Sequence, residues 1–411
     1  SKIFINSPEI LDTMVSRSFS PIKGLQDAEA ELASLLEQAD DFEDRLDILR
    51  RYRHEEFLRI GMHDIYGRLE QTEIAGQLTT LAEVCLAAAR KIAEQELSRF
   101  GTPLCVDENG EERPARFAVI AMGKMGGREL NYHSDLDIIY VYDYQGMTNG
   151  ERRISNREYF AKLGQKIISI LSTPTREGHV YTIDTRLRPS GNAGPLVTSL
   201  ESFRTYHREE AHVWERQALT KARVVLGEGR TREEIEEVIR DTVYGAGADN
   251  EVRREIHRLR MRMEHELARE SLGSYNIKTG RGGMVDVEFI VQYLQLRHGR
   301  DFPLVRSAGT LEALQALHAC ALVSDEDFQA LSDGYTFLRI LENRLRIIHD
   351  YSMNQLGGPT GYLNKLARRL GYDERLRHPG DALLADYERI TGAVRRAYDR
   401  ILGEGEVPPA A

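Results

Sequence analysis

Cysteine is nearly missing from this chain: Cys85, Cys105 and Cys320 lie far apart, with no CxxC or cysteine–histidine spacing. That argues against a disulfide framework and a structural zinc, and fits a reducing, cytoplasmic setting. No run of about eighteen apolar residues occurs, so no membrane span is expected. No basic-then-apolar leader opens the chain. It begins at Ser1, and Asn6-Ser7-Pro8-Glu9 already reads as a helix start, so a segment of a longer protein is expected. Positive charge is also short: 55 Lys and Arg stand against 65 Asp and Glu, a net charge of -10. A nucleic-acid binder relying on a broad basic surface is therefore disfavoured, while a small basic pocket for a nucleotide is not. Trp214 is the only tryptophan, and no repeat of 20–50 residues is found. The 411 residues suffice for two to three domains.

What is present is concentrated in residues 117–143, FAVIAMGKMGGRELNYHSDLDIIYVYD. An apolar run to Met122 meets a turn containing Gly123, Gly126 and Gly127. Ser134-Asp135-Leu136-Asp137 then leads into a second apolar run, Ile138 to Tyr142. Short β-branched and aromatic runs bounded by glycine predict buried strands. Residues two apart on a strand share a face, so Asp135 and Asp137 are expected side by side, with Leu136 facing the opposite core. Two carboxylates so placed repel one another. A hard divalent cation takes their oxygens as ligands and removes the repulsion. Glycines let backbone N–H groups approach a phosphate closely. The pattern points to magnesium and a nucleoside triphosphate; a strand end with two solvated aspartates is the plainer alternative.

A second stretch, His179 to Gly191, alternates as a half-buried strand would. Asp184, Arg186 and Arg188 fall on one face and Tyr181, Ile183 and Leu187 on the other. An acid for a cation and two arginines for a triphosphate complement the aspartate pair, and an exposed salt-bridge ladder is the alternative. Elsewhere the reading is helical: 42–66, 71–99, 156–172, 231–243, 249–269, 309–320, 324–350 and 376–403. Residues 214–223 read as a helix with a basic side (Arg216, Lys221, Arg223). Those cations either face phosphates or form a solvated face. His54 and His63 are off-register for a helical metal pair and read as ordinary surface histidines, and His207 and His212, likewise off-register, as structural or surface residues. Gly282 to Phe289 reads as a glycine turn before a helix, for an anion or for close packing.

These motifs, in this order, resemble the bifunctional glutamine synthetase adenylyltransferase/adenylyl-removing enzyme family, whose members carry two homologous nucleotidyltransferase halves. The similarity runs from the Arg50-Arg51-Tyr52 to Ile60 helix through GKMGGREL at 123–130, SDLD at 134–137 and DTRLRPSG at 184–191. It continues through WERQALTKAR at 214–223 and GGMVDVEF at 282–289. The resemblance implies an α+β, mostly helical fold: a polymerase-β-like core with a small mixed sheet at 106–228, an N-terminal helical region at 1–105 and a helical bundle at 229–411. It implies Asp135, Asp137 and Asp184 as catalytic metal ligands for two magnesium ions. It also implies a nucleotide-binding set of Gly123, Lys124, Gly126, Gly127, Ser134, Arg186 and Arg188, leaving open which glycine meets a phosphate. Arg188 to Gly191, Gln217 to Leu219 and Val285 to Tyr293 are similar to the adenylylating half. Gly194 to Val197 and Gly309 to Leu314 are closer to the removing half, and the balance lies with adenylylation.

The implied reaction is transfer of AMP from ATP to a tyrosine hydroxyl of glutamine synthetase, releasing pyrophosphate and regulating nitrogen assimilation. Asp184 would serve as metal ligand and proton acceptor together. The PII signal protein and glutamine enter as effectors through the resemblance alone; neither nucleic acid nor membrane is an expected partner. Three alternatives remain: phosphorolysis of adenylyl-tyrosine to ADP, a non-catalytic nucleotide or regulator module, and transfer to RNA ends. The last is disfavoured by the acidic balance.

Overall fold

The structure, a computed structural model, describes residues 20–106, 110–271, 273–349, 353–373, 375 and 378–403. The helix expected at 9–15 and the tail from 404 fall outside these residues. The described chain divides into two compact units. One comprises residues up to Ala211 together with Lys221–Ile239; the other comprises His212–Thr220 and the residues from Arg240 onward.

The first unit opens with helices α1 (Leu25–Leu36), α2 (Phe42–Ile65) and α3 (Gln71–Glu96). Asp41 starts α2 by accepting the Asp44 N–H at 2.9 Å, satisfying one of the free amides of a helix N-terminus. α3 is rich in Ala and Leu and buried on most sides, so it packs against α1, α2 and α5 (Asn156–Ser172). β1 (Pro103–Val106), β2 (Glu112–Pro114) and β5 (Gly146–Thr148) form a small antiparallel sheet, placing a strand where a loop is expected at 146–153.

The main sheet is built on the two apolar runs. β3 (Phe117–Ala121) pairs antiparallel with β4 (Leu136–Tyr142), Phe117 opposite Tyr142 and Ala121 opposite Ile138. β3 then pairs with β8 (Arg223–Leu226). On its other edge β4 runs parallel to β6 (Ile183–Asp184) and β7 (Val197–Ser199). Both faces of β4 are covered, which suits its continuous apolar sequence. Phe160 of α5 stacks on Phe117 and Tyr142 at ring separations of 5.6 and 5.2 Å. The unit also contains the four-residue α4 (Gly123–Gly126), α6 (Leu200–Glu209) and the start of α8 (Gly229–Tyr244).

The second unit is helical: α7 (Val213–Ala218), α9 (Asn250–Leu267), α10 (Met284–His298), α11 (Thr310–Ala319), α12 (Asp325–His349), α13 (Thr360–Arg369) and α14 (Pro379–Ile401). A short pair, β9 (Ser274–Asn276) and β10 (Gln355–Gly357), completes it.

Two expectations fail locally. Residues 180–188 are not one alternating strand: only Ile183 and Asp184 pair, and Val180 and Tyr181 are both buried. The Asp184 carboxylate accepts the Arg186 backbone N–H at 2.8 Å, a local bond that turns the chain away from the ladder. Residues 214–223 are not one helix either. Thr220 Oγ1 donates to the Gln217 carbonyl at 2.7 Å, a 3₁₀ turn follows α7, and the β-branched Val224 and Val225 continue as β8.

Candidate active site

Strand register brings two of the three carboxylates together. Asp137 lies directly opposite Asp184 on the parallel pair β4–β6, and Leu136 opposite Ile183. Asp135 stands just before β4 and is exposed, whereas Asp137 and Asp184 are half-buried and Leu136 is fully buried beneath them. The Asp137 carbonyl accepts the Met122 N–H at 2.8 Å, so the end of β3 is tied to the base of the acid pair.

The glycine turn is pressed against these acids. Gly123 has φ +51°, and a Cβ there would sit 2.8 Å from Asp137 Oδ2, so glycine meets both the backbone and the space requirement. Gly126 and Gly127 are different. Their amides already donate to the carbonyls of Met122 (3.0 Å) and Gly123 (3.1 Å), closing α4. A Cβ on Gly126 would collide with the Lys221 carbonyl, which makes Gly126 a close-packing residue against the start of β8. Lys124 is half-buried beside Gly123. Ser134 closes the turn into β4, its Oγ accepting the Asn131 N–H at 3.1 Å and its own N–H donating to the Asn131 carbonyl at 3.2 Å.

The arginines part company. Arg186, exposed, folds back on Asp184: Nε lies 2.8 Å and Nη2 2.5 Å from Oδ2. Its hydrogen bonds hold the Asp184 carboxyl below the usual carboxylate range, and Asp137 and Asp135 add to the field on its guanidinium. Arg188 points elsewhere, donating to the carbonyls of Thr185 (2.8 Å), Pro195 (3.1 Å) and Gly194 (3.3 Å), so it organises its own loop. The basic side expected at 216–223 also dissolves. Arg216 donates to the carbonyls of Val243 and Gly247, Lys221 is buried against Glu129, and Arg223 bonds Glu83 and the Gly126 carbonyl. These cations form neither a solvated face nor a phosphate-facing row.

Among the described residues no three acid or histidine side chains stand close enough to hold an ion as they are. The oxygen-only donor set of adjacent strands suits a hard divalent cation. Asp184 is turned onto Arg186, and a cation sharing all three acids requires that contact to open.

Sequence reasoning missed what α2 brings to this side. Arg50, fully buried, donates to the carbonyls of Gly178 (2.9 Å) and Thr173 (2.6 Å) and fixes the chain leading to β6. Arg53 stacks on Phe57 and Tyr181, and the ring of Phe57 meets His133, two residues before Asp135. Only the run of arginines in α2 hinted at this.

In the second unit, Gly282 to Phe289 resolves as packing around an internal anion. Asp286 is buried between Arg260 and Arg395, and its Oδ2 accepts the Gly282 N–H at 2.7 Å. Arg260 also donates to the Gly280 carbonyl at 2.8 Å, so the turn binds a carboxylate of its own chain.

A small mixed sheet within a mostly helical α+β chain, its central strand opening onto paired acids, is the build of a nucleotidyltransferase. The family model for glutamate-ammonia ligase adenylyltransferase matches residues 1–238, and that for GlnD PII-uridylyltransferase matches residues 250–402. The bifunctional glutamine synthetase adenylyltransferase/adenylyl-removing enzyme of Thioalkalivibrio sulfidiphilus is 36% identical over 356 residues, 84% of this chain and 36% of that protein. The chain therefore spans about a third of the length of that relative. By the first of these matches it belongs to the glutamate-ammonia ligase adenylyltransferase family. No helix among the described residues is long and apolar enough to cross a membrane.

Proposed function

We propose that this chain is an adenylylating module, moving AMP from ATP to a tyrosine hydroxyl of glutamine synthetase in a cytoplasmic nitrogen-regulating enzyme. The observation that carries the reading is the register of Asp137 opposite Asp184, with Gly123 pressed against the Asp137 carboxylate. Asp135, Asp137 and Asp184 hold the cations. Gly123, Lys124 and Ser134 line the turn over which the triphosphate lies, and Arg186 moves from Asp184 onto its phosphates. Arg188, Gly126 and Gly127 support this set through the backbone. The tyrosine oxygen bonds to the α-phosphorus, the bond to the bridging oxygen breaks, and pyrophosphate leaves with the electron pair. Asp184, once released by Arg186, accepts the hydroxyl proton. Magnesium, when bound, lowers the pKa of the attacking hydroxyl and neutralises charge on the leaving group. The three-region division at 105 and 228 belongs to the same reading, as do PII and glutamine as effectors.

The segment Gly194 to Val197, closer to the removing half, supports a second reading: phosphorolysis of adenylyl-tyrosine to ADP. One experiment separates them. The chain, magnesium, glutamine synthetase and ATP labelled at the α-phosphate are mixed and label on protein is followed. Label on tyrosine, lost in Asp137→Asn, is the expected result. ADP formed from adenylylated glutamine synthetase and phosphate, without labelling, transfers the assignment to the removing direction. Silence in both directions leaves a binding module.

A further inference from the structure

Arg53 is a buried cation with no counter-ion among the described residues. It is only 8% exposed, its Nε has no hydrogen-bond partner, and no carboxylate pairs with it. Its guanidinium lies 4.3 Å from the ring centre of Phe57 and 5.5 Å from that of Tyr181, whose hydroxyl oxygen takes one of its hydrogen bonds. The neighbouring arginines are treated differently. Arg50 donates to four backbone carbonyls, and Arg59 is bonded to Glu56 and Gln77. A buried charge is normally paired, because leaving it alone forfeits hydration without recovering a partner. Arg53 has ring faces on its sides and its buried Nε left without a partner.

Two histidines lie near Arg53. His54 sits against Gly178, with a ring atom 3.6 Å from the position of a Cβ there, and His179 follows as an exposed residue. His133, in ring contact with Phe57 at 5.3 Å, leads through Ser134 to Asp135. The field is positive: burial, then Arg53, His179 and Arg50, press the His54 imidazole down to about 4. Burial, Arg53 and Arg50 press His179 down, and Asp135 pulls it back.

We propose that Arg53, with His54 and His179 at its rim, forms an oxyanion subsite on the α2 side of Asp135, and that its ligand is a phosphate group. The planar donor edge matches a phosphate oxygen pair. The choice of phosphate rests on the function proposed above, in which nucleotide phosphates or free orthophosphate are the anions present.

The test titrates the purified chain by calorimetry with orthophosphate, with the α,β-methylene analogue of ATP and, separately, with Mn2+. Arg53→Met is expected to weaken anion binding at least tenfold while Mn2+ binding stays unchanged. Loss for orthophosphate alone identifies free phosphate as the ligand; loss for the analogue alone identifies a nucleotide phosphate. Both anions binding as in the unmodified chain, or neither anion binding the unmodified chain, overturns the subsite. Should Arg53→Met not fold, Arg53→Lys decides. It keeps the charge but loses the planar edge, so at least threefold weaker binding is expected and unchanged binding overturns the proposal. Mn2+ binding that ignores Asp137→Asn would instead defeat the cation assignment, and the metal-free orthophosphate titration would still decide Arg53.

Discussion

Two glycine-rich turns precede acids in this chain, and the protein treats the two sets of charges in opposite ways. Asp286, after GRGG, is removed from water and met by Arg260, Arg395 and the Gly282 amide. Burial pushes its carboxyl up and the two guanidiniums oppose that shift. Asp135 and Asp137, after GKMGG, share a strand mouth with Asp184, whose carboxylate is bonded by the exposed side chain of Arg186. One set of charges is neutralised within the fold and specifies a turn. The other sits at an open strand end, with Asp135 exposed and Asp137 and Asp184 half-buried. Similar residue vocabulary thus carries a structural part in the second unit and, in the function proposed above, a catalytic part in the first, and burial tells them apart.

The comparison breaks most visibly if the acids are removed in turn. Asp137→Asn is expected to lower adenylyl transfer by about a thousandfold or more, the scale of losing charge stabilisation at a reacting phosphate. Its folding stability should stay within about 0.5 kcal/mol, because a repulsion is relieved. Labelled transfer and urea unfolding of the same preparation measure both. Asp286→Asn should do the reverse. Leaving Arg260 and Arg395 with only the less buried Glu264 and Asp399 as partners costs about 1–3 kcal/mol, read as a lower urea midpoint in the second unit. Transfer per folded molecule should hold. A stable Asp286→Asn with depressed transfer would erase the distinction.

How far this contrast was readable in advance differs by residue. The strands at 117–121 and 136–142 and the helix at 156–172 follow from runs of apolar residues and clean periodicity, so burial and sequence agree there. The Asp135–Asp137 spacing was visible because it is local in sequence, with Asp135 just before β4 and Asp137 within it. The Asp137–Asp184 pairing rests on a two-residue parallel contact across more than forty residues, which no local pattern encodes. The arginines at 186 and 188 look alike in sequence, yet one binds an acid and the other binds loop carbonyls, since the Asp184 turn redirects the chain between them. Arg53 was hidden altogether, because its missing counter-ion is a fact about packing.

His207 sharpens the comparison from the uncharged side. It is buried in α6 with both ring nitrogens unpartnered, against Phe203 at 4.4 Å, and burial lowers its pKa to about 4. The folded imidazole is held neutral, so the unfolded chain binds the proton first as pH falls. Stability is fully present above about pH 6.5 and declines toward pH 4, by at most about 1.4 kcal/mol per unit. His207→Leu should flatten the pH dependence of the urea midpoint in that window and leave the value at pH 8 nearly unchanged. A flat profile in the unmodified chain would contradict a neutral buried ring.

The smallest stability effect belongs to Arg186, and it separates two meanings of its contact. The guanidinium side chain is 73% exposed and that of Asp184 16%. Solvent screening limits such a pair to under about 1 kcal/mol, so Arg186→Ala should barely move the urea midpoint at pH 7. The sign is fixed by Asp184, whose folded pKa lies below its unfolded value. Its contribution is present above about pH 4 and vanishes as pH falls through the folded pKa, so the variant and the unmodified chain should converge in acid. Cation affinity is the more telling readout. If Arg186 stands in for a cation on Asp184, removing it frees a ligand and Mn2+ should bind about three- to tenfold more tightly without nucleotide. Weaker Mn2+ binding would mean that the arginine orients the carboxylate for the cation, and the acid site would then resemble the Asp286 turn more closely than its exposure suggests.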